Sequence, residues 1–418
     1  PTDITYWNTK TGHFDGIYTY TFTDTDTYLK SIWEYGYKTA DNAARVIQAS
    51  QALYNNASDD EKTELNMYMA EAYALRGYAQ LLLTNIYGHQ IKVNGQDFSS
   101  ELGIVIIDQP KEALTKISRS TVGESYEAII NDLKNALSHF EAAGKDRGEL
   151  QYLGKAATNG LLARTYLYLE NWDEARNYAE QALKIAGITT LTNDANAYKA
   201  LYNSEISNSE SMFALAITNT TNWSANSYGT LWSTYNFSPS PKLISMYATN
   251  DCRKILIDGR DKTSTESEPV YTGGKIAHFS SGNPARGTNY IVNAPEMYLI
   301  KAEANVQLNK LNEAKEALLV VAKRNLDIKS TNDLPSKKEN LMSFIKDERA
   351  RELFQEGMRL YDLRRWNERV SVYANSAPAI KFTYTNYEIS NLVFPIPSAE
   401  INAGFGVTQN NWTNTLPK

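Results

Sequence analysis

The feature that most constrains this chain is a helical segment that occurs twice. Small, apolar and acidic residues recur at matched positions. The matched pairs are Ala163 and Ala302, Leu169 and Leu308, Glu174 and Glu313, and Ala175 and Ala314. Two antiparallel helices that cross closely at alanines and are joined by a tight polar turn follow the tetratricopeptide plan. Because one such unit cannot bury its faces alone, we expect the helix pairs to stack into a solenoid.

Helical periodicity and capping signals extend this scaffold along the chain. Ser58 and Thr121 are each followed three residues later by Glu, which is the spacing of a capping box. Gly357 interrupts the last helical stretch. We predict helices over the ranges 26–54, 58–87, 122–140 and 337–368. The ranges 58–87 and 122–140 are expected to form one pair that an insertion splits.

These signals predict one domain over residues 1–418, mostly α in class. The scaffold is a tetratricopeptide-type helix-pair solenoid at about 26–87, 122–187 and 294–369. Two insertions, 88–121 and 188–293, and a C-terminal tail, 370–418, complete the chain. The larger insertion is rich in Asn, Ser, Thr, Gly and Tyr. We predict it to be irregular or β-containing with one short helix near 241–247, and we expect a strand at 104–107 in the smaller insertion.

Composition excludes several classes of function. The net charge of −6 arises from 48 acidic and 42 basic residues without a basic block, so nucleic acid is not a predicted partner. Cys252 is the only cysteine, and the four histidines are far apart in the sequence. Neither a metal site nor a cofactor is therefore predicted. No stretch approaches the roughly 20 apolar residues that span a bilayer.

The chain is rich in aromatic residues with a polar tip, with 28 Tyr and 7 Trp against 12 Phe. Several lie outside the repeats, in polar sequence at the N-terminus and in the larger insertion. A sugar ring packs its C–H face on an indole or phenol, while amides bind its hydroxyls. The candidate ligand-binding residues are Trp7, Asn8, His13, Trp223, Tyr228, Trp232 and Tyr271. The alternative is that these tryptophans only anchor the insertion to the scaffold.

Three passages carry a resemblance to one family. They are the sequence EMYLIKAEA at 296–304, the sequence DERARELFQEGMRLYDLRRW at 347–366, and FPIP at 394–397 followed by Glu400, Ile401 and Asn402. Together they resemble the signatures of SusD/RagB-type outer-membrane nutrient-binding lipoproteins. Asn293 departs from that pattern, because many relatives carry Arg before the EMYL helix.

The resemblance implies a cell-surface, outer-membrane lipoprotein that takes part in carbohydrate uptake. Such a protein binds an oligosaccharide and delivers it to a SusC-like TonB-dependent transporter, against which the helical repeats pack. Membrane contact would be made only through an N-terminal lipid anchor, which has no counterpart before Pro1. In the family, the glycan site lies where the N-terminal loop meets insertions like the one at 188–293.

Two functions of other classes remain open. Glu348, Glu352 and Glu356 are four residues apart, and a glycoside hydrolase would need two carboxyl groups that face each other across a sugar. Carboxylates on one helix beside Arg349 and Arg359 are instead expected to be ionised partners in ion pairs. A peptide-binding tetratricopeptide adaptor would need a basic or amide-lined groove. We predict a binding protein and not an enzyme.

Overall fold

The computed structural model describes residues 2–7, 14–203, 207–218, 220–224, 227–233, 237–257, 274–277, 287–368, 371–373, 380–383 and 392–416. The chain divides into two compact units. Unit 1 comprises Pro1–Thr19, Trp172–Leu360 and Val370–Thr385, and unit 2 comprises Tyr20–Asn171, Tyr361–Arg369 and Asn386–Lys418. The division into scaffold, insertions and tail remains a prediction.

Helices dominate the described residues, and the strands are short. The helices are α1 (Asp15–Thr19), α2 (Thr27–Tyr54), α3 (Asp59–Tyr87), α4 (Val122–Ala143), α5 (Lys155–Tyr168), α6 (Trp172–Ala186), α7 (Ala195–Leu201), α8 (Tyr228–Ser233), α9 (Pro241–Ser245), α10 (Lys254–Ile257), α11 (Gly274–Ala277), α12 (Ala294–Gln307), α13 (Leu311–Ala322), α14 (Lys338–Glu352), α15 (Arg359–Trp366) and α16 (Ser398–Ala403). The strands are β1 (Thr5–Trp7), β2 (Lys92–Val93), β3 (Gln96–Asp97), β4 (Ser211–Leu215), β5 (Phe237–Pro239), β6 (Asn289–Asn293), β7 (Ser371–Tyr373) and β8 (Ile380–Thr383).

The capping signals place the helix ends of unit 2 correctly. Ser58 and Thr121 each form the predicted capping box, in which the side chain accepts from the third backbone N–H and the glutamate accepts from the cap N–H. Gly144 ends α4 in the left-handed conformation, with φ 66°. The predicted helices 26–54, 58–87 and 122–140 are thereby confirmed to within three residues.

In unit 2, α3 packs against both α2 and α4, and α4 packs against α5. The predicted pairing of α3 with α4 is therefore confirmed. Arg76 on α3 donates to both carboxylate oxygens of Asp132 on α4, at 2.8 and 2.6 Å. Both side chains are buried, so this bidentate pair fixes how the two helices face each other.

The predicted strand at 104–107 does not form. Side chains satisfy the backbone N–H groups that a neighbouring strand would otherwise bind. Ile104 donates to Ser125 Oγ (3.2 Å), Val105 to the Tyr37 hydroxyl (3.0 Å) and Ile107 to Gln80 Oε1 (2.8 Å). An apolar run can be buried and extended without a partner strand when helix side chains supply the acceptors.

In unit 1, α12 packs against α6, α13 and α14. β4 pairs antiparallel with β6, β1 with β5, and β7 with β8. The larger insertion contains α9 near the predicted 241–247, but it also contains α7, α8, α10 and α11. These four helices have four to seven residues, too few for a helical hydrophobic period to be visible in the sequence.

The repeat is also visible in backbone hydrogen bonds. Glu170 and Asn309 end the first helix of each copy in the left-handed conformation, with φ 53° and 59°. The next N–H then reaches back five residues, from Asn171 to the carbonyl of Tyr166 (3.0 Å) and from Lys310 to that of Asn305 (2.8 Å). The two copies therefore share their turn geometry as well as their spacing.

Candidate functional site

The N-terminal segment and the larger insertion, which carry the predicted ligand-binding clusters, meet within unit 1. Strand β1 pairs with β5 so that Thr5 lies opposite Pro239 and Trp7 opposite Phe237. The contact continues past the strand end, where Ser240 donates from its N–H to the carbonyl of Ile4 (3.0 Å). Residues more than 200 positions apart in sequence thus become neighbours.

A cavity of about 210 Å³ opens beside this strand pair. Its lining comes from the N-terminal segment, α8, β5 and the turn between α14 and α15, and comprises Thr2, Ile4, Thr5, Tyr228, Leu231, Trp232, Phe237, Leu353, Phe354, Gln355, Gly357, Met358, Arg359 and Leu360. We call it the aromatic cavity.

Aromatic side chains form much of the wall of the aromatic cavity. The Trp232 ring lies edge-on to Phe237 (5.9 Å between centroids) and to Phe354 (5.1 Å). Tyr228 lies 6.4 Å from Trp232, also edge-on. Trp232 is only 4% exposed and belongs to a hydrophobic cluster with Ile4, so the ring supports the insertion while it lines the cavity.

Gln355 supplies a buried polar group to the aromatic cavity. It is 6% exposed, and its Oε1 accepts from the backbone N–H of Lys275 (2.6 Å). Its Nε2 has no hydrogen-bond partner among the described residues. Gln355 and Gly357 both adopt the left-handed conformation, with φ 66° and 76°, which forms the sharp turn after α14. The turn therefore lines the cavity, while the amide oxygen of Gln355 binds the backbone at α11.

A second polar group on the cavity wall is fixed by an ion pair. Arg359 donates to both carboxylate oxygens of Asp3, at 2.9 and 2.7 Å, and Lys242 is a second cation on the same carboxylate. Burial alone would raise the pKa of Asp3, but Arg359 and Lys242 outweigh burial and the pKa is lowered. Asp3 therefore stays ionised and holds the N-terminal segment against α15's first residue.

The predicted ligand-binding residues divide into three groups. Tyr228 and Trp232 line the aromatic cavity. Trp223 is 57% exposed, and its backbone N–H donates to Ser227 Oγ (3.2 Å) just before α8. Trp7 contributes backbone to β1, but its side chain lies outside the described part of the chain, as do the other three predicted residues, Asn8, His13 and Tyr271. A ligand-contact role for all seven remains a prediction.

Sequence reasoning did not identify Gln355 or Arg359 as site residues. Both lie in the passage at 347–366 that carries the family resemblance. In that passage we interpreted only the carboxylates and the helix break at Gly357. A glutamine next to the predicted helix break at Gly357 was the available signal. It could not be read without knowing that the N-terminal segment packs there.

The three glutamates of the hydrolase hypothesis belong to a buried ion network in unit 1. Arg253 donates through Nη1 to Glu348 (2.7 Å) and Glu352 (2.9 Å), and through Nη2 to Asp251 (2.7 Å). All four side chains are at most 1% exposed. Arg324, also buried, extends the network by contacting Glu352 (3.3 Å). The predicted ion pairing of Glu348 and Glu352 is confirmed, but their partners are Arg253, Arg324 and Arg351, whereas Arg359 pairs with Asp3.

The pKa values of two neighbouring carboxyl groups, those of Glu348 and Glu356, shift in opposite directions. Burial would raise the pKa of Glu348, but Arg253 and Arg351 lower it to about 2. Burial raises the pKa of Glu356, although Lys275 (2.5 Å) and the Asn293 amide (2.9 Å) both donate to its carboxylate. Asn293, where the family resemblance led us to expect Arg, therefore binds Glu356 as a neutral donor.

Solved structures of known proteins share this fold. A SusD superfamily protein from Bacteroides thetaiotaomicron is 23% identical, with a TM-score of 0.81 over 98% of this chain and 92% of that one. A SusD superfamily protein from Bacteroides vulgatus is 23% identical, with a TM-score of 0.81 over 98% of this chain and 91% of that one. A SusD-like carbohydrate binding protein from the same organism is 23% identical, with a TM-score of 0.73 over 88% of this chain and 76% of that one. No curated protein matches the chain.

Two family models match the sequence itself. The model described as the SusD family matches residues 280–412, and the one described as "Starch-binding associating with outer membrane" matches residues 3–167. The chain belongs to the SusD/RagB family. The SusD/RagB assignment confirms the mostly α fold class, a starch- or sugar-binding role and the outer-membrane location. No helix among the described residues is long and apolar enough to cross a membrane.

We expect Glu348→Gln to lower the free energy of unfolding by about 3 kcal/mol at neutral pH, because Arg253 and Arg351 lose a buried ionic partner. The stability that the lowered pKa contributes is present above about pH 4.5 and is lost as the pH falls towards 2. The variant should therefore depend less on pH across that window. Urea unfolding at several pH values tests this, with the exposed Glu339→Gln as control, and an unchanged slope would contradict it.

Proposed function

We propose that this SusD/RagB protein captures an oligosaccharide at the aromatic cavity and delivers it to a SusC-like TonB-dependent transporter. The observation that carries the capture step is the set of aromatic side chains, Trp232, Tyr228 and Phe237, that line the cavity together with the polar residues Gln355 and Arg359. Apolar walls with a few convergent polar groups are typical of small-ligand sites. A solved relative of the same fold is a SusD-like carbohydrate binding protein, which supports the ligand class.

The size of the cavity limits what it can hold. At about 210 Å³ it falls below the range of about 300–1,000 Å³ that is usual for sites that enclose a whole ligand. The cavity therefore suits one sugar ring, and the rest of an oligosaccharide must lie on the surface. Trp223 offers an exposed indole just before α8, whose residues Tyr228 and Trp232 line the cavity. We assign Trp223 as the outer stacking platform.

Capture without bond cleavage fits the placement of the carboxylates. Glu348 and Glu352 are each 1% exposed or less and bound to arginines, so neither can act as a proton donor to a sugar. Among the described residues that line the aromatic cavity there is no acidic side chain. Release of sugar by the purified protein, abolished in Glu352→Gln, would favour a hydrolase instead.

We expect Trp223→Ala to weaken binding of maltooligosaccharides or soluble starch about tenfold, or ~1.4 kcal/mol, because an exposed stacking face is lost. Calorimetry and retarded migration in starch-containing gels measure this, with other soluble polysaccharides in parallel. Tyr35→Ala is the matched control, since Tyr35 is 48% exposed on α2 in unit 2. Binding that survives Trp223→Ala and falls with Tyr35→Ala would refute the platform assignment.

Replacing Gln355 tests the cavity separately from the platform. Gln355→Met removes a polar member of the cavity lining at similar side-chain length, and we expect about fivefold to tenfold weaker sugar binding. Gln90→Met is the matched control, because Gln90 is also buried with an unpartnered Nε2 but lies in unit 2 and does not line the cavity. Equal affinities for the two variants and the native protein would remove the cavity from the site.

The delivery step predicts a stable complex with a SusC-like transporter from the same organism. Co-expression followed by purification in detergent should recover both chains in equal amounts, with or without sugar. Trp223→Ala should keep the transporter while it loses sugar, because the platform serves only capture. Recovery of this protein without the transporter at every detergent concentration would exclude delivery as we propose it.

A further inference from the structure

A buried amine, a carboxamide and a carboxylate meet in unit 1. Lys275 on α11 donates through Nζ to Glu356 Oε1 (2.5 Å), and Asn293 at the end of β6 donates through Nδ2 to Glu356 Oε2 (2.9 Å). One carboxylate thus contacts the amine on one oxygen and the carboxamide on the other. We call Lys275, Asn293 and Glu356 the amide triad. None of the three lines the aromatic cavity.

Water has little access to the amide triad. The side chains of Lys275 and Glu356 are 6% and 7% exposed, and Asn293 is 4% exposed. The ring of Tyr202, which is also buried, has its centroid 5.3 Å from Lys275 Nζ. An amide bond formed between side chains here is protected from hydrolysis, because hydrolysis needs a water molecule at the carbonyl carbon.

An asparagine at position 293 brings a reactive carbon to this site. The family resemblance led us to expect Arg there, which would supply a second cation to Glu356. Asn293 instead supplies a carbonyl carbon, Cγ, that an amine can attack. Its Nδ2, the nitrogen that such an attack must expel, is the atom that faces Glu356, while its Oδ1 has no hydrogen-bond partner among the described residues.

Glu356 is placed to move the protons that amide transfer requires. Its Oε1 can accept a proton from the Lys275 ammonium, which leaves a neutral amine with a free electron pair. Burial raises the pKa of Glu356, so its carboxylate is a better proton acceptor than an exposed one. Its Oε2 contacts Asn293 Nδ2 and can return a proton there, so that this nitrogen leaves as ammonia.

The protonation of Lys275 sets the pace of such a transfer. Burial would lower the pKa of Lys275, but the negative charge of Glu356 outweighs burial and the pKa is raised. The ammonium form therefore predominates, and the amine is free to react for only a small fraction of the time. The fixed geometry of the folded chain offsets this, because groups held side by side react far faster than the same groups in solution.

We propose that Lys275 and Asn293 become joined by an isopeptide bond, with Glu356 as the catalytic residue that carries the proton. The bond between Lys275 Nζ and Asn293 Cγ forms, and the bond between Asn293 Cγ and Nδ2 breaks. An ammonium and a primary amide become a secondary amide and an ammonium ion, and Glu356 ends as the carboxylate it began as. Atoms and charge balance without an oxidant or a reductant.

The bond closes a loop from α11 to the residue before α12. Closing a loop reduces the conformational freedom of the unfolded chain, as a disulfide does. Cys252 is the only cysteine, so a disulfide within the chain cannot serve this purpose. Because Gln355 on the cavity wall accepts from the Lys275 N–H (2.6 Å), the closed loop is also bound to the turn after α14.

Mass spectrometry of the full chain tests the proposal. The native chain should be lighter than its sequence predicts by the mass of one ammonia molecule. Trypsin should leave Lys275 uncut and release the peptides 263–286 and 287–301 joined to each other, since cleavage follows Lys262, Arg286 and Lys301. Asn293→Ala should show its full sequence mass and normal cleavage after Lys275, because it has no carbonyl carbon to attack.

Lys338 and Asn309 provide the matched control. Lys338 donates to Asn309 Oδ1 (2.7 Å) at the surface, and no carboxylate among the described residues contacts this lysine. Asn309→Ala should keep the loss of ammonia and the joined peptides. Glu356→Gln should remove both, because an amide cannot carry the proton. A Glu356→Gln chain that has the native circular dichroism spectrum and is still joined would overturn the role of Glu356.

The native chain alone decides whether the bond exists. Full sequence mass with cleavage after Lys275 overturns the proposal. Loss of ammonia without joined peptides indicates ring closure at Asn293 alone, and this result also overturns it. Because the amide triad does not line the aromatic cavity, either result leaves the proposed sugar capture to its own tests.

Discussion

The buried guanidinium of Arg253 is the interaction on which unit 1 most depends. It binds three carboxylates, from Asp251, Glu348 and Glu352, so the short helix α10 is fastened to α14. A buried charge of this kind is stable only when every partner is present, since its desolvation must be offset by several ionic contacts at once. The insertion is therefore held in place by charge as well as by apolar packing.

This fastening determines where the aromatic cavity forms. The turn after α14, with Gln355 in the left-handed conformation, extends directly from the helix that carries Glu348 and Glu352. The Asp3–Arg359 pair then holds the N-terminal segment at the other side of the same turn. Two sets of ion pairs therefore hold the segments that line the cavity.

Local rules predicted the helical part of the chain well. Capping boxes at Ser58 and Thr121 gave helix starts to within one residue, because caps act over only three or four positions. The run at 104–107 was misjudged, since its N–H acceptors are side chains on α2, α3 and α4, which no local pattern reveals. The short helices of the insertion were missed for the same reason, as their stability comes from tertiary contacts.

The candidate site was predictable only in part. Its aromatic members, such as Tyr228 and Trp232, have an evident chemistry, and the family resemblance pointed to the meeting of N-terminal loop and insertion. The polar members were not predictable, because Gln355 and Arg359 line the cavity only after the N-terminal segment packs against the turn that follows α14. A contact between segments so far apart in the chain has no signature in the local order of residues.

The small size of the aromatic cavity suits the proposed capture and release of sugar. A cavity for one ring plus one exposed platform offers few contacts, and an affinity near the micromolar to millimolar range follows from interactions of about 4–8 kcal/mol in total. Under the proposed function, weak capture allows the sugar to pass on to the transporter. A site with one enclosed ring and one exposed platform releases its ligand readily, because few contacts must break.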